Sequence, residues 1–235
     1  MRPILSVTPG TLGFENYRPG RQCADGGLGM PRVDLVVPFA DKDSAKRLGA
    51  QWDVAARTWF VPEHVDPEPF VRWLPNADVV NVRGSSYFIA ASSRTCWRCK
   101  STSSVHGFIL PEGYETLEIG ELPDDDRWEP WDEPTLLCYV HYLIPAVVAQ
   151  IRARSVHYRL AFSVRACSTY WMNHCEHCRA QFDDEETFCE PGGGFLAFFE
   201  DDVARISVTH VDETFAAGCG SYSFGVSQFE KMRRL

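Results

Sequence analysis

The chain lacks an apolar run long enough to cross a membrane. The best candidate, residues 136–151, is interrupted by His141, Pro145 and Gln150. A membrane-spanning helix needs about 20 consecutive, predominantly apolar residues. We therefore expect a soluble protein without a membrane partner.

Basic residues are scarce relative to acidic ones. The chain has 23 Lys and Arg against 32 Asp and Glu, which gives a net charge of -9. Proteins that coat nucleic acid draw most of their affinity from clustered Lys and Arg that neutralise phosphates. The charge balance excludes that class, so any contact with nucleic acid must be local.

Local catalytic motifs are missing as well. The sequence contains no Gly-rich phosphate loop, no His-Glu-x-x-His helix and no Gly-x-Ser-x-Gly elbow. We therefore assign no catalytic residue and no small-molecule cofactor, and we favour a non-catalytic protein. An enzyme whose active site is assembled from scattered residues is the alternative.

The composition is that of a globular protein, with 235 residues of which 45% are hydrophobic and 23% are charged. Nine cysteines are an odd number for a disulfide framework, and no secretory signal peptide is evident. We therefore expect reduced thiols and a cytoplasmic location.

Three segments differ in pattern and together predict an α+β fold. Residues 1–31 are rich in Gly and Pro without periodicity, which predicts a disordered arm. Residues 32–75 predict a small β-α-β-β domain. Residues 85–235 predict a zinc-ribbon α+β domain with an inserted helix and strands.

Within the small domain, the sequence predicts a strand over residues 33–39 and then a helix that Asp41 caps and Gly49 ends. Two more strands, residues 51–52 and 58–61, follow around a turn. The order and spacing of Val37 to Asp53 and of Arg57 to Pro62 resemble a small bacterial domain of unknown function, over residues 32–75. That domain is often fused to plasmid-transfer primases and other DNA-processing proteins, so the resemblance implies a mobile-element or nucleic-acid context but no activity.

Two Cys-x-x-Cys pairs, Cys96/Cys99 and Cys175/Cys178, are the strongest motif. Four thiolates at this spacing form a tetrahedral zinc site, and each pair is expected at the tip of a hairpin. We predict that all four cysteines bind one Zn²⁺. Two alternatives are four unligated buried thiols and a redox-active pair.

Other side chains near the second pair are alternative ligands. His174 and His177 flank it, and Cys189 follows eleven residues after Cys178. We expect the two histidines to be exposed neighbours of the site rather than ligands.

The segment from Tyr170 to Cys178 resembles the second half of bacterial zinc-ribbon proteins with an Asn-x-Cys-x-x-Cys signature, whose function is unassigned. Many of those proteins have Gly directly after the second cysteine of a pair. Here Lys100 and Arg179 occupy these positions, which leaves the geometry of both turns open.

The remaining elements follow from periodicity. Residues 87–91 and 105–110 predict the strands on either side of the first cysteine pair. Residues 111–134 predict an acidic loop, with Trp128 and Trp131 as anchors if it docks a partner. Apolar residues at helical spacing predict a helix over residues 135–153, kinked or divided at Pro145, and alternation predicts a strand over residues 156–164.

The function that we favour is binding, as an accessory factor in bacterial mobile-element or DNA-processing biology. The partner would be single-stranded DNA, duplex DNA or a DNA-processing protein. Cations would meet phosphates and aromatic rings would stack on bases, and the candidates are Lys42, Lys46, Arg47, Trp52, Arg57 and Trp59. Alternatively, the aromatic residues belong to the core, and the acidic segments 112–133 and 183–202 form a protein-interaction or neutralising module.

Overall fold

Strands dominate the backbone. The structure, a computed structural model, describes residues 32–62, 64–75, 79–120, 125–197, 200–224 and 228–235. The predicted arm, residues 1–31, lies outside them. The strands are β1 Val33–Leu35, β2 Gln51–Asp53, β3 Thr58–Val61, β4 Val82–Gly84, β5 Tyr87–Thr95, β6 Thr102–Leu110, β7 Glu115–Glu118, β8 Arg127–Pro130, β9 Thr135–Leu143, β10 Tyr158–Ser163, β11 Ser168–His174, β12 Gln181–Phe182, β13 Ser207–Val211, β14 Phe215–Phe224 and β15 Arg233–Arg234. The α-helices are α1 Lys42–Arg47, α2 Pro145–Arg152 and α3 Glu200–Ala204, so the expected mixture of helices and strands is confirmed.

The first sheet is small and has the strand order β1-β3-β2, with α1 between β1 and β2 in sequence. Strand β1 is shorter than predicted because Pro38, which has no N–H to donate to a sheet, precedes a 3-10 turn over Phe39–Asp41. Gly49 ends the helix with φ of 106°, as predicted. Asp41 does not cap the helix; its carboxylate accepts a hydrogen bond from Nε1 of the buried Trp73 at 2.9 Å, because a buried indole N–H needs a partner.

Nine of the described strands form the central sheet, in the order β15-β13-β5-β6-β9-β14-β4-β7-β8. The predicted hairpin around the first cysteine pair is confirmed, since β5 and β6 pair from Phe88/Ile109 to Thr95/Thr102. The third sheet has the order β10-β11-β12, and the second cysteine pair lies between β11 and β12. The chain thus places each pair at the tip of an antiparallel hairpin.

The predicted helix over residues 135–153 is wrong in its first half. Residues 135–143 form β9, which is paired with β6 and β14 inside the central sheet. A strand covered on both faces is apolar on both faces, so its short apolar run cannot be told from a buried helix by periodicity. Pro145 begins α2 at the first helical turn, where its missing N–H is not needed.

The predicted loop over residues 111–134 is also wrong. Strands β7 and β8 pair as a hairpin at one edge of the central sheet. Trp131 Nε1 donates to Thr116 Oγ1 at 2.7 Å, and the Arg83 guanidinium carbon lies 4.1 Å from the centre of the Trp128 ring. Both tryptophans therefore make contacts within the protein, which weakens the docking-anchor interpretation.

The apolar core is continuous between the N-terminal residues and the central sheet. One cluster of buried side chains includes Val33, Phe70 and Trp73 together with Tyr87 and Phe108. The division into domains at residues 75–85 stays a prediction. No helix in the described part of the chain is long and apolar enough to cross a membrane.

Candidate metal centre

The four predicted cysteines meet where the two hairpin tips face each other. All four Sγ atoms lie within 4.8 Å of one another. Cys96 Sγ is 3.7 Å from Cys178 Sγ, and Cys99 Sγ is 3.5 Å from Cys175 Sγ. Tetrahedral zinc with Zn–S bonds of about 2.3 Å would separate its sulfurs by about 3.8 Å. The arrangement is therefore the right size for a metal ion of this kind.

These short contacts each join one hairpin to the other. A redox-active Cys-x-x-Cys motif brings together the two sulfurs of one motif, whereas here the sulfurs of both motifs converge on one point. Four unligated buried thiols are also a poor description, because Cys178 is only half-buried. The geometry favours a metal site over both alternatives.

The two tips have the same backbone conformation. In the first, the Lys100 N–H donates to the Cys96 carbonyl at 3.0 Å; in the second, the Arg179 N–H donates to the Cys175 carbonyl at 2.9 Å. Lys100 has φ of 63° and Arg179 has φ of 61°. Both are in the left-handed region that favours glycine. Each tip therefore forms its tight turn with a non-glycine residue at this position.

Hydrogen bonds to sulfur favour the thiolate form that binds metal. Burial raises the pKa of Cys175, but hydrogen bonds from the Ser103 hydroxyl and from the N–H groups of Cys178 and His177 outweigh it and lower the pKa to about 5. The Ser103 hydroxyl, 3.2 Å from Cys175 Sγ, also accepts from the Glu176 N–H. Contacts of this kind orient and stabilise metal ligands.

The Asn173 side chain joins the second hairpin to the first through two hydrogen bonds. Its amide group donates to the His106 carbonyl at 2.8 Å, and its Oδ1 accepts from the His106 N–H at 2.7 Å. Both residues are buried, so this side chain satisfies backbone groups of β6 that water does not reach. The sequence contains Asn173 within the Asn-x-Cys-x-x-Cys pattern, but neither its partner nor the role of Ser103 could be predicted from local pattern.

The alternative ligands do not join the cluster. His174 is buried rather than exposed, and burial lowers its pKa to about 4; its Nδ1 lies 3.1 Å from the Met172 carbonyl. The exposed His177 directs Nε2 to the Thr102 carbonyl at 3.0 Å. Within the described residues, the four cysteines form the one group of three or more potential ligands.

The remaining described cysteines lie outside the cluster. Cys138, Cys189 and Cys219 are free thiols. The reduced state of the thiols stays a prediction. The cytoplasmic location stays a prediction.

The candidate nucleic-acid residues lie on α1 and on the β2–β3 hairpin, and their role stays a prediction. Lys46, Arg47 and Arg57 are exposed, and the Lys42 ammonium lies over the Phe39 ring. Trp52 is 47% exposed and contacts Trp59 edge to face, with ring centres 5.6 Å apart, while Trp59 packs against the core. Among the described residues, no hydrogen bond or ion pair joins the helix cations to the hairpin residues Trp52 and Arg57.

Comparison with known proteins finds matches to one part of the chain. Residues 32–75 match the family described as "Domain of unknown function (DUF5710)". One DNA primase TraC of Escherichia coli is 55% identical over 42 residues, which cover 18% of this chain and 4% of the relative. A second is 42% identical over 74 residues, covering 31% and 5%. These matches confirm the resemblance seen in the sequence.

The comparisons leave most of the chain unassigned. The chain spans no more than 5% of the length of these curated relatives. No solved structure matches.

Proposed function

We propose that this protein is a zinc-stabilised, non-catalytic binding protein that serves as an accessory factor in bacterial DNA processing. The observation that carries the proposal is the convergence of four Sγ atoms between two hairpin tips. The similarity of part of the chain to proteins named as DNA primases supports the DNA context.

The donor set favours zinc. Soft thiolate ligands in a tetrahedral arrangement are typical of zinc or of iron–sulfur sites. The Cys-x-x-Cys spacing and the single compact group of sulfurs are those of a structural zinc site. Cys96, Cys99, Cys175 and Cys178 would hold the ion.

Such a centre has a structural role. Four thiolates fill the tetrahedral coordination of zinc, so no position is left for a reactive water. Structural zinc contributes an apparent 10–16 kcal/mol in small zinc peptides, which is comparable with the whole stability of a domain. Here it would join the central sheet to the third sheet at the two tips.

Metal content and melting test the zinc centre. We expect about one zinc per chain by plasma mass spectrometry, and a large fall in melting temperature after chelation. Cys175→Ser should lose the metal and melt early, whereas Cys189→Ser, which changes an exposed cysteine outside the cluster, should keep both properties. A protein without bound metal, or a Cys175→Ser variant that melts like the wild type, would show that the zinc assignment is wrong.

Binding to DNA tests the second half of the proposal. The partner would be single-stranded DNA, duplex DNA or a DNA-processing protein, and the action would be cytoplasmic. Titration of the zinc-loaded chain against labelled single strands and duplexes at stated salt measures direct binding. Absence of binding to both would leave a DNA-processing protein as the partner and would refute direct contact with DNA.

A further inference from the structure

The charge around the four-cysteine cluster is opposite to that of the chain as a whole. The turns 96–101 and 175–180 contain the exposed cations Arg98, Lys100 and Arg179, against Glu176 as their single acid. The whole chain has a net charge of -9. The two turns therefore form a local basic surface on an acidic protein.

Arg98 and Arg179 of this surface, and Arg159 of β10, are available to an outside anion. No salt bridge within the described part of the chain involves Arg98, Arg159 or Arg179. By contrast, the Glu176 carboxylate accepts a hydrogen bond from the Ser104 N–H at 3.2 Å, so the one acid is engaged locally. An unpaired guanidinium presents its donors in a fork that matches a phosphate group.

Two of the arginines converge on a cavity. Arg159 of β10 and Arg179 of the second turn line it with His157 and Val156, and its volume is about 200 Å³. Val156 is 72% exposed, which leaves an apolar edge open to solvent. The lining thus combines two cations with an imidazole at one place, a setting suited to a phosphate group.

Trp97 adds an aromatic surface to the same region. Its side chain is 55% exposed, and it belongs to none of the buried clusters. The indole Nε1 donates to the Gln181 carbonyl at 3.0 Å, and the Lys100 ammonium donates to the Trp97 carbonyl at 2.7 Å. The ring is therefore held in place across both hairpins while one part of it stays open, as a stacking platform for a base requires.

We infer that this knuckle surface, formed by Trp97, Arg98, Lys100, Arg159 and Arg179, binds single-stranded nucleic acid. The inference rests on the proposed function and moves the contact away from the N-terminal unit. There, Trp59 packs against the core and Lys42 lies over Phe39. A duplex hides the faces of its bases, so the exposed indole fits a single strand. Four cations predict modest affinity with a slope of log K against log salt of about -3.

The test uses the zinc-loaded full chain and a fluorescein-labelled oligothymidylate of about 20 nucleotides, longer than common single-strand sites. Anisotropy titrations at several salt concentrations compare the wild type with Arg98→Glu/Arg179→Glu and with Trp97→Ala. Lys46→Glu/Arg47→Glu is the control for the rival surface on α1, because it reverses two exposed charges among the candidates that the sequence suggested. Zinc content and melting temperature of each variant verify that the fold is retained.

We expect at least tenfold weaker binding and a smaller salt slope for Arg98→Glu/Arg179→Glu, and about tenfold weaker binding for Trp97→Ala, since stacking contributes about 1–3 kcal/mol per base. The control should bind like the wild type. If only the control variant loses binding, the protein contacts DNA directly but not through the knuckle surface. Equal affinity for a duplex refutes the preference for single strands. If the wild type binds neither the single strand nor the duplex, both this inference and direct contact with DNA are refuted.

Discussion

Replacement of Asn173 by alanine tests how the two halves of the metal centre are joined. The substitution removes both hydrogen bonds to His106 and leaves a buried N–H and a buried carbonyl of β6 without partners. Each such group costs about 1–3 kcal/mol. We therefore expect the free energy of unfolding to fall by about 3 kcal/mol, and the melting temperature by about 6–12 °C for a protein of this size.

The same variant should also affect the metal. Asn173 lies two residues before Cys175, so the loss of its bridge to β6 lets the second hairpin move relative to the first. We expect faster transfer of zinc to a colorimetric chelator, measured by stopped-flow absorbance. The melting temperature is measured by circular dichroism on metal-loaded protein.

Asn81 offers a matched control. Its amide donates to the Cys219 carbonyl at 2.8 Å, and its Oδ1 accepts from the Cys219 N–H at 2.9 Å. The pair of bonds is the same, but Asn81 is only half-buried and its partner lies on β14, which carries no metal ligand. Because Cys219 is itself buried, Asn81→Ala should lose comparable stability but leave zinc transfer unchanged. If Asn173→Ala melts with the wild type and releases zinc at the same rate, the bridging argument is refuted.

Three further predictions follow from single side chains. Burial raises the pKa of Asp184 well above its ordinary value of 3.8. As the pH rises, this carboxyl group therefore loses its proton in the unfolded chain before it does so in the folded protein. The free energy of unfolding should be highest below about pH 4 and should fall at higher pH. Asp184→Asn should flatten that decline in urea titrations from pH 4 to 9, and a parallel curve would contradict the protonated state. The hydrogen bond with Cys138 lowers the pKa of Cys189 to about 7, against the opposing effect of burial. In zinc-loaded protein, where the metal protects the four clustered cysteines, Cys189 should therefore react first with iodoacetamide among the described cysteines. The reaction should be half-maximal near pH 7 by peptide mass spectrometry, and a half-point near pH 9 would count against this. Because Lys100 and Arg179 have left-handed φ angles, replacing either by Gly should raise the free energy of unfolding by about 0.5–1 kcal/mol. A lower free energy of unfolding in denaturant titrations would contradict backbone strain at these positions.

The hairpin around Cys96 and Cys99 could be predicted because a short strand-like run lies on each side of a turn-prone segment. Strand β11, which precedes the second pair, was not predicted. Strand β9 could not be predicted in this way, since central strands covered on both faces lose their alternation. Strands β7 and β8 were missed because charged residues at a sheet edge resemble a solvated loop.

The sequence by itself predicted which four cysteines converge, because thiolate chemistry and the two-residue spacing within each pair are local properties of the chain. The order and spacing of side chains in residues 32–75 also carried the resemblance to the matched domain family. Only the tertiary structure decided that Asn173 joins β11 to β6, that the Trp97 indole donates to the Gln181 carbonyl, and that Arg159 and Arg179 line one cavity. The reason is physical: these contacts join different elements, and His106 and Asn173 are 67 positions apart. Local pattern does not show how buried backbone groups of different sheets find partners.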